Sequence, residues 1–297
     1  MSERPLRSWL YVPADDPRKI AKAAASKADV AILDLEDGCP AERKAAGRDC
    51  VASALAGEDF GATRRYVRIN PTSGPHWRAD LEATGGRADG YVIAKASRPS
   101  SVATVAAWLR SHRGGEADPD VAPVVTEDVA GVFAADATIA ADPMVGTVIW
   151  GTEDLSASLG AWSVLDERDE LLEVFQVVRS LVLLLARRRA KRIIDTPHLR
   201  IGDLEGLAAQ ARSVARMGFT GKQAIHPSHI AVINDAFVPG EAELRAAREL
   251  VAAFEDADAA VVRVQDGMQD APHLLRARTI LALADAAGGE HERERPR

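Results

Sequence analysis

Eight short runs rich in valine and isoleucine recur along the chain, each ending in polar or turn residues and each separated from the next by a helix-like stretch. The runs are Ser8–Pro13, Val30–Asp37, Arg65–Asn70, Gly90–Lys95, Pro123–Glu127, Val145–Gly151, Arg192–Thr196 and Lys222–Pro227. Most are continuously apolar rather than alternating. Parallel strands read that way, because helices cover one face and a core covers the other. The clearest intervening stretches with helical spacing are Arg18–Ser26, Ala41–Leu55, Ser101–Ser111, Leu171–Arg189 and Leu204–Met217. The last of these follows Asp203 and precedes Gly218, as an N-cap and a C-terminal glycine would flank a helix. Eight such alternations predict an α/β protein, a closed (β/α)8 TIM barrel. The rival is an open doubly wound sheet. That fold usually carries a glycine-rich turn after its first strand, where this chain has Ala14–Asp15–Asp16–Pro17.

The rhythm assigns residues 1–240 to a barrel domain and then stops. Glu241–Ala257 reads as a long helix, Gln265–Asp270 as a polar connection and Leu274–Ala287 as a second helix. Residues 241–289 are therefore expected to form a helical appendage, a lid or a subunit contact. Residues 290–297 (EHERERPR) are too charged to pack and are expected to be disordered.

Composition narrows the function classes. Hydrophobic residues make up 47% of the 297, enough for a large core. Lys and Arg number 37 against 44 Asp and Glu, so nucleic acid is not expected as a partner, although one locally positive pocket can still take a small anion. Two cysteines, Cys39 and Cys50, cannot build a disulfide scaffold or a cysteine zinc site. The greasiest run, Leu181–Ala186, falls far short of the roughly 20 residues of a membrane span. The N-terminal residues lack the apolar stretch of a signal peptide. A cytoplasmic protein without membrane partners is expected.

In a barrel, chemistry sits at the C-terminal ends of the strands. On this assignment those ends carry Asp34, Glu36 and Asp37, then Arg68 and Asn70, Lys95, Glu127, Glu153 and Asp154, Asp195 and His226. Carboxylates converging on one mouth repel unless a cation sits among them. Oxygen ligation by one or two carboxylates, completed by water and substrate, is the magnesium pattern. Glu127 and Asp154 end neighbouring strands and are the candidate pair. Solvated loop acids, or Asp154 as a helix cap, are the plainer alternative. Arg68 lies inside a strand-like run and needs a counter-ion, either a substrate oxygen or a barrel acid such as Asp34 or Glu36. Weaker signals are His226 with His229 as a metal pair, Lys95 as a Schiff-base lysine, and the basic run Arg187–Arg192 as a solvated helix end. The cysteines read as structural.

The blocks RSWLYVPADDPRKIAKA, VAILDLEDG, YVRINP, GTEDLSASLG, IDTPHLRIGDLEGL, MGFTGKQAIHP and INDAFVP, in this order, resemble the β-subunit-like citrate lyase group of the HpcH/HpaI aldolase superfamily. The resemblance runs from about Arg7 to Ala287. It implies a (β/α)8 barrel that makes or breaks a carbon–carbon bond beside a CoA thioester, with malyl-, citramalyl- or citryl-CoA as typical substrates and hydrolysis of the thioester in some members. It implies Mg²⁺ on Glu127 and Asp154, Arg68 on the substrate, and Glu36 and Asp37 near the metal through water. Asp270, in DGMQDAP, resembles an acid that a C-terminal lid brings to the neighbouring subunit's site, with Asp37 in reserve for the proton transfer. A homotrimer or hexamer is expected. Two blocks depart from the group. L-P-K-x-E is here Ile93–Ala94–Lys95–Ala96–Ser97, and I-E-T-A is Thr126–Glu127–Asp128–Val129. Both departures lie near the pocket and bear on substrate identity. Two other readings stay open: a magnesium aldolase on free hydroxy-keto acids, and a subunit active only with carrier and transferase partners. Arg18, Lys19 and Lys22 are candidates for meeting CoA phosphates.

Overall fold

The computed structural model describes residues 4–112, 118–257, 260–264 and 267–293. The chain divides into two compact units, Leu6–Ile233 and a smaller one made of Met1–Pro5 and Asn234–Arg297. The division expected at 240 therefore lies inside the smaller unit, a few residues past the end of the helix that straddles the boundary.

The larger unit alternates strand and helix. In order it contains β1 (Ser8–Pro13), α1 (Pro17–Ala24), β2 (Val30–Asp34), α2 (Lys44–Gly57), β3 (Arg64–Ile69), α3 (Trp77–Thr84), β4 (Gly90–Ile93), α4 (Pro99–His112), β5 (Asp120–Pro123), α5 (Val129–Ile139), β6 (Thr147–Ile149), α6 (Glu153–Leu159), α7 (Glu173–Arg188), β7 (Arg192–Asp195), α8 (Leu204–Met217), β8 (Gly221–Ala224) and α9 (His229–Ala236). All eight strands are parallel, in the order β5-β4-β3-β2-β1-β8-β7-β6. The two ends meet through the parallel bridges Val121–Val145 and Val124–Ile149, so the sheet is a nearly closed TIM barrel, as the alternation predicts. Local signals set the helix ends. Asp16 accepts from the first amides of α1, Asp128 caps α5, and Asp203 caps α8, which Gly218 closes in a left-handed conformation.

The period of two along each strand decides what enters the barrel. Trp9, Ile32, Tyr66, Val92, Ile149 and Ile194 are buried in one interior cluster, with Tyr11 packed against it. One step of the same period carries the inward face from Ile32 to Asp34 and from Tyr66 to Arg68, at the C-terminal ends of their strands. Gly90, the register partner of Tyr66, admits this ring, since a Cβ there would lie 2.2 Å from the Tyr66 Cε1 atom.

The smaller unit holds α10 (Glu241–Ala257), the antiparallel strands β9 (Val261–Val264) and β10 (Gly267–Asp270), and α11 (Ala271–Arg293). Both helices are as expected. The polar connection is not, because its described part, Gly267–Asp270, pairs with Val261–Val264 as a hairpin. Pairing between neighbouring segments compensates for a weak apolar signal. Helix α11 also runs to Arg293, into the stretch expected to be disordered; Glu and Arg are good helix formers and extend a helix already begun. Residues 294–297 of that stretch lie outside the described residues.

Candidate functional site

The mouth of the barrel gathers two cations and five carboxylates. Arg68 is held by two of the acids. Its Nε and Nη2 donate to the two oxygens of Asp34 at 2.6 and 2.5 Å, and its Nη1 lies 3.0 Å from Glu36 Oε2. Asp34 and Arg68 are register partners on adjacent strands, which fixes this forked pair. The guanidinium also stands 5.0 Å from the Tyr11 ring centre. Of the two alternatives for Arg68, the structural ion pair is present, and the planar group still sits at the mouth.

Lys95 is the second cation. It follows β4 with a φ of 51°, a left-handed conformation that a residue with a Cβ rarely adopts. That turn gives it two contacts at once. Its backbone N–H donates to Glu127 Oε2, and its Nζ lies 2.5 Å from Glu36 Oε1, 3.7 Å from Asp37 Oδ2 and 3.8 Å from Asp154 Oδ1. Lysine in this role was only a weak candidate in the sequence, because nothing marks a turn at Ala94–Ala96; the third position of the Ile93–Ser97 block was the available signal. The geometry makes it an ion-pairing group.

Glu127 and Asp154 flank this lysine. Glu127 is buried just past the end of β5, and Asp128 beside it caps α5 and so anchors the turn. Asp154 lies in the first turn of α6, inside a helix that begins at Glu153, so it is not the cap residue. Burial raises the Glu127 carboxyl to about 8, against the pull of the Lys95 amide and Arg68 and with further upward pressure from Asp154 and Glu36. A carboxylate so desolvated and so placed among like charges calls for another cation. Arg68 and Lys95 are the cations paired with these acids among the described residues, so the donor set of Asp34, Glu36, Asp37, Glu127 and Asp154 is all oxygen and carries more negative than positive charge. It fits a hard divalent ion. Among the described residues no three His, Cys, Asp or Glu side chains close on one point, so protein ligation would be by two carboxylates, with water or substrate completing the shell.

The raised Glu127 carboxyl has a consequence for stability. Between its ordinary 4.5 and about 8 the folded chain holds a proton that the unfolded chain releases, so stability falls as pH rises through that window. In chelator, wild type is expected to lose melting temperature relative to Glu127→Gln as pH goes from about 4.5 to about 8. A constant difference between the two curves would refute the assignment.

Other expected positions lie elsewhere. Asp195 is not at the mouth. It follows the inward Ile194, so it faces the helix layer, where it takes 2.6 Å and 3.0 Å hydrogen bonds from Lys222 Nζ and Trp150 Nε1. Asn70 donates to the Leu35 carbonyl and to Asp80, a structural role. His226 pairs with Ser228, and His229 points its Nε2 at the Ile201 carbonyl, so the two do not converge as a metal pair. In the basic run, Arg188 and Arg189 reach Asp136, and Arg192 lies in β7 beside Thr147 and Asp120, so the run is only partly a solvated helix end. Asp270 ends β10 in the smaller unit, its Oδ1 2.5 Å from His273 Nδ1.

Comparison with known proteins decides the lineage. The family model HpcH/HpaI aldolase/citrate lyase matches residues 7–227. The chain belongs to this family. It is 37% identical to a citrate lyase subunit beta-like protein of Mycobacterium tuberculosis, over 95% of this chain and 97% of that one. It is 34% identical to the mitochondrial citramalyl-CoA lyase of Rattus norvegicus, over 94% of this chain and 86% of that one. The crystal structure of the protein CitE from Mycobacterium tuberculosis, in complex with magnesium, acetoacetate and coenzyme A, superposes with a TM-score of 0.83 at 35% identity, covering 95% and 98% of the two chains. The membership resolves the choice between the barrel and the open sheet in the same direction as the strand order.

Proposed function

We propose that this HpcH/HpaI family member is a magnesium-dependent carbon–carbon lyase, or the reverse synthase, for a short hydroxy-dicarboxylyl-CoA thioester of the malyl-, citramalyl- or citryl-CoA kind. The observation that carries the reading is the acid-rich mouth around Lys95 and Arg68, in which buried Glu127 meets the Lys95 backbone amide and half-exposed Asp154 lies near the Lys95 ammonium. Relatives named citramalyl-CoA lyase, and a neighbour holding magnesium, acetoacetate and coenzyme A, support it.

Cleavage breaks the bond between a hydroxyl-bearing carbon and the carbon beside the thioester. The hydroxyl loses its proton, a carbonyl forms, and the electron pair passes to an acyl-CoA enolate that must then gain a proton at carbon. Glu127 and Asp154 would hold Mg²⁺, which supplies Lewis-acid stabilisation of negative oxygen when bound. Arg68 sets its guanidinium toward the developing oxyanion, and its pairs with Asp34 and Glu36 keep it from swinging away. Lys95 holds Glu36 and Asp37 in place and, through its amide, orients Glu127. Asp270 is our candidate for the proton exchange, with Asp37 in reserve. The family resemblance implies that Asp270 serves a neighbouring copy. Asp270→Ala is expected to lower kcat about a hundredfold while KM stays within a few-fold. Undiminished turnover would remove Asp270 from the reaction.

The test offers malyl-CoA and citramalyl-CoA with and without Mg²⁺ and follows acetyl-CoA together with glyoxylate or pyruvate. Magnesium-dependent release of both fragments is expected. A relative named (3S)-malyl-CoA thioesterase, 35% identical over 95% of this chain, supports a second outcome, in which water releases malate and free CoA instead. Cleavage of a free hydroxy-keto acid, with no turnover of either thioester, would overturn the CoA reading.

A further inference from the structure

Within the run D-A-P-H, Asp270 and His273 lie three residues apart. Asp270 ends β10 and stands directly before α11, in the place of a helix N-cap. His273 lies in the first turn, where helices often carry a Glu or Gln that reaches back to the amide of the cap residue. Pro272 between them presets its own backbone dihedral, which suits a first turn. The imidazole does reach back. Its Nδ1 is 3.3 Å from the Asp270 backbone N–H and 2.5 Å from Asp270 Oδ1.

Those two contacts constrain where a proton sits, because a ring nitrogen offers either an N–H or a lone pair. With Nδ1 bare, it accepts from the Asp270 amide. The 2.5 Å contact then needs a proton on the Asp270 carboxyl, since two lone pairs would repel at that distance. With Nδ1 protonated, the ring donates to the carboxylate. In both states one proton lies between Oδ1 and Nδ1, and the states differ only in which atom holds it. The His273 side chain is 37% exposed, and among the described residues nothing bonds to its Nε2, which leaves that nitrogen to water. The pair of His198 with Asp203 is different: its contact is 3.2 Å, and the second ring nitrogen is taken by Gln210.

We propose that His273 is the positioning and proton-supplying partner of Asp270, resting on the reading above that Asp270 exchanges the proton at the carbon beside the thioester. In the cleavage direction the neutral Asp270 carboxyl gives its proton to the enolate carbon, whose electron pair forms the new C–H bond. The carboxylate left behind takes the Nδ1 proton of a His273 imidazolium. That ring becomes a neutral imidazole with its remaining proton on Nε2, and water restores the imidazolium. Synthesis runs the same transfers in reverse. A carboxylate that has given up its proton acts again only once reprotonated, and a proton on the adjacent ring nitrogen shortens that step.

The experiment compares His273→Gln, His273→Ala and Asp270→Ala in the full-length protein with Mg²⁺ and whichever of malyl-CoA and citramalyl-CoA the wild type turns over. Glutamine can accept from the Asp270 amide and so preserves the cap, but it cannot hold the shared proton. His273→Gln is expected to lower kcat about tenfold, with KM within about twofold and an unchanged circular dichroism melt. His273→Ala should lose as much, and added imidazole should recover part of that loss while doing nothing for Asp270→Ala. The double variant Asp270→Ala with His273→Gln should be no slower than Asp270→Ala alone, because a partner that acts through Asp270 then has nothing to act through. Wild-type kcat in His273→Gln beside an impaired Asp270→Ala would overturn the role of His273 and leave that of Asp270 standing. So would a double variant far slower than Asp270→Ala. Undiminished turnover in Asp270→Ala, or a wild type that turns over neither thioester, would overturn the underlying reading and the His273 role with it.

Discussion

Asp154→Asn is expected to lower Mg²⁺-dependent kcat/KM by about 10³-fold or more while leaving the barrel folded. The substitution keeps the side chain's size and removes the negative charge that, with Glu127, would hold the ion. Loss of the charge stabilisation that develops along such a reaction is worth factors of this order. The fold should be unaffected because Asp154 is partly exposed in the first turn of α6 and its contact with Lys95 is the long one, 3.8 Å against 2.5 Å for Glu36. Two measurements separate the causes. Steady-state rates across a magnesium titration report function, and calorimetric Mn²⁺ binding reports the ion independently of turnover. Weakened Mn²⁺ binding together with lost activity is the expected pattern. Full activity in the variant would refute the assignment of the ligand pair. Glu127→Gln is expected to behave alike in both measurements, and in chelator to be the more stable protein above neutral pH, since it removes a carboxyl that burial holds near 8.

The largest effect on stability is expected from Asp195→Ala, which should cost about 3–5 kcal/mol. Lys222 is 1% exposed, and Asp195 neutralises it at 2.6 Å; after the substitution the ammonium would keep, among the described residues, the neutral Thr196 carbonyl at 2.7 Å. Trp150 Nε1 would lose its acceptor as well. An uncompensated charge in that layer is far more costly than the pair is beneficial. The double variant Asp195→Leu with Lys222→Met is therefore expected to recover most of the loss. Thermal melting checks both, with the single variant on the order of 10 °C below wild type. A single variant within a degree of wild type would show that the pair does not carry the load assigned to it.

These two acids also show how far the sequence could be read. Asp154 and Asp195 both follow a valine- and isoleucine-rich run and looked alike as strand-end carboxylates. One enters the mouth and the other turns under the helices. Asp154 lies past β6 in the first turn of α6, whereas Asp195 is the last residue of β7, one step beyond the inward Ile194, and the register that sets its face exists only once β7 pairs with β8. Arg68 was easier, because a charge inside a strand needs a partner and Asp34 and Glu36 were the acids within reach. Lys95 was harder, because its role depends on a left-handed turn between two alanines. The hairpin of the smaller unit was hidden for a similar reason: Gly267–Asp270 carries little apolar pattern until Val261–Val264 lies beside it.

The order of apolar runs and capping residues along the chain was enough to specify eight parallel strands, their intervening helices and the ends at which chemistry gathers, because periodicity and capping are local properties of the polymer. Which charges meet was settled by packing. Strand register and the ion pairs of Lys95 with Glu36 and Asp154 are relations between residues distant in the chain, and the energies that choose among them arise only when burial removes water from around those groups.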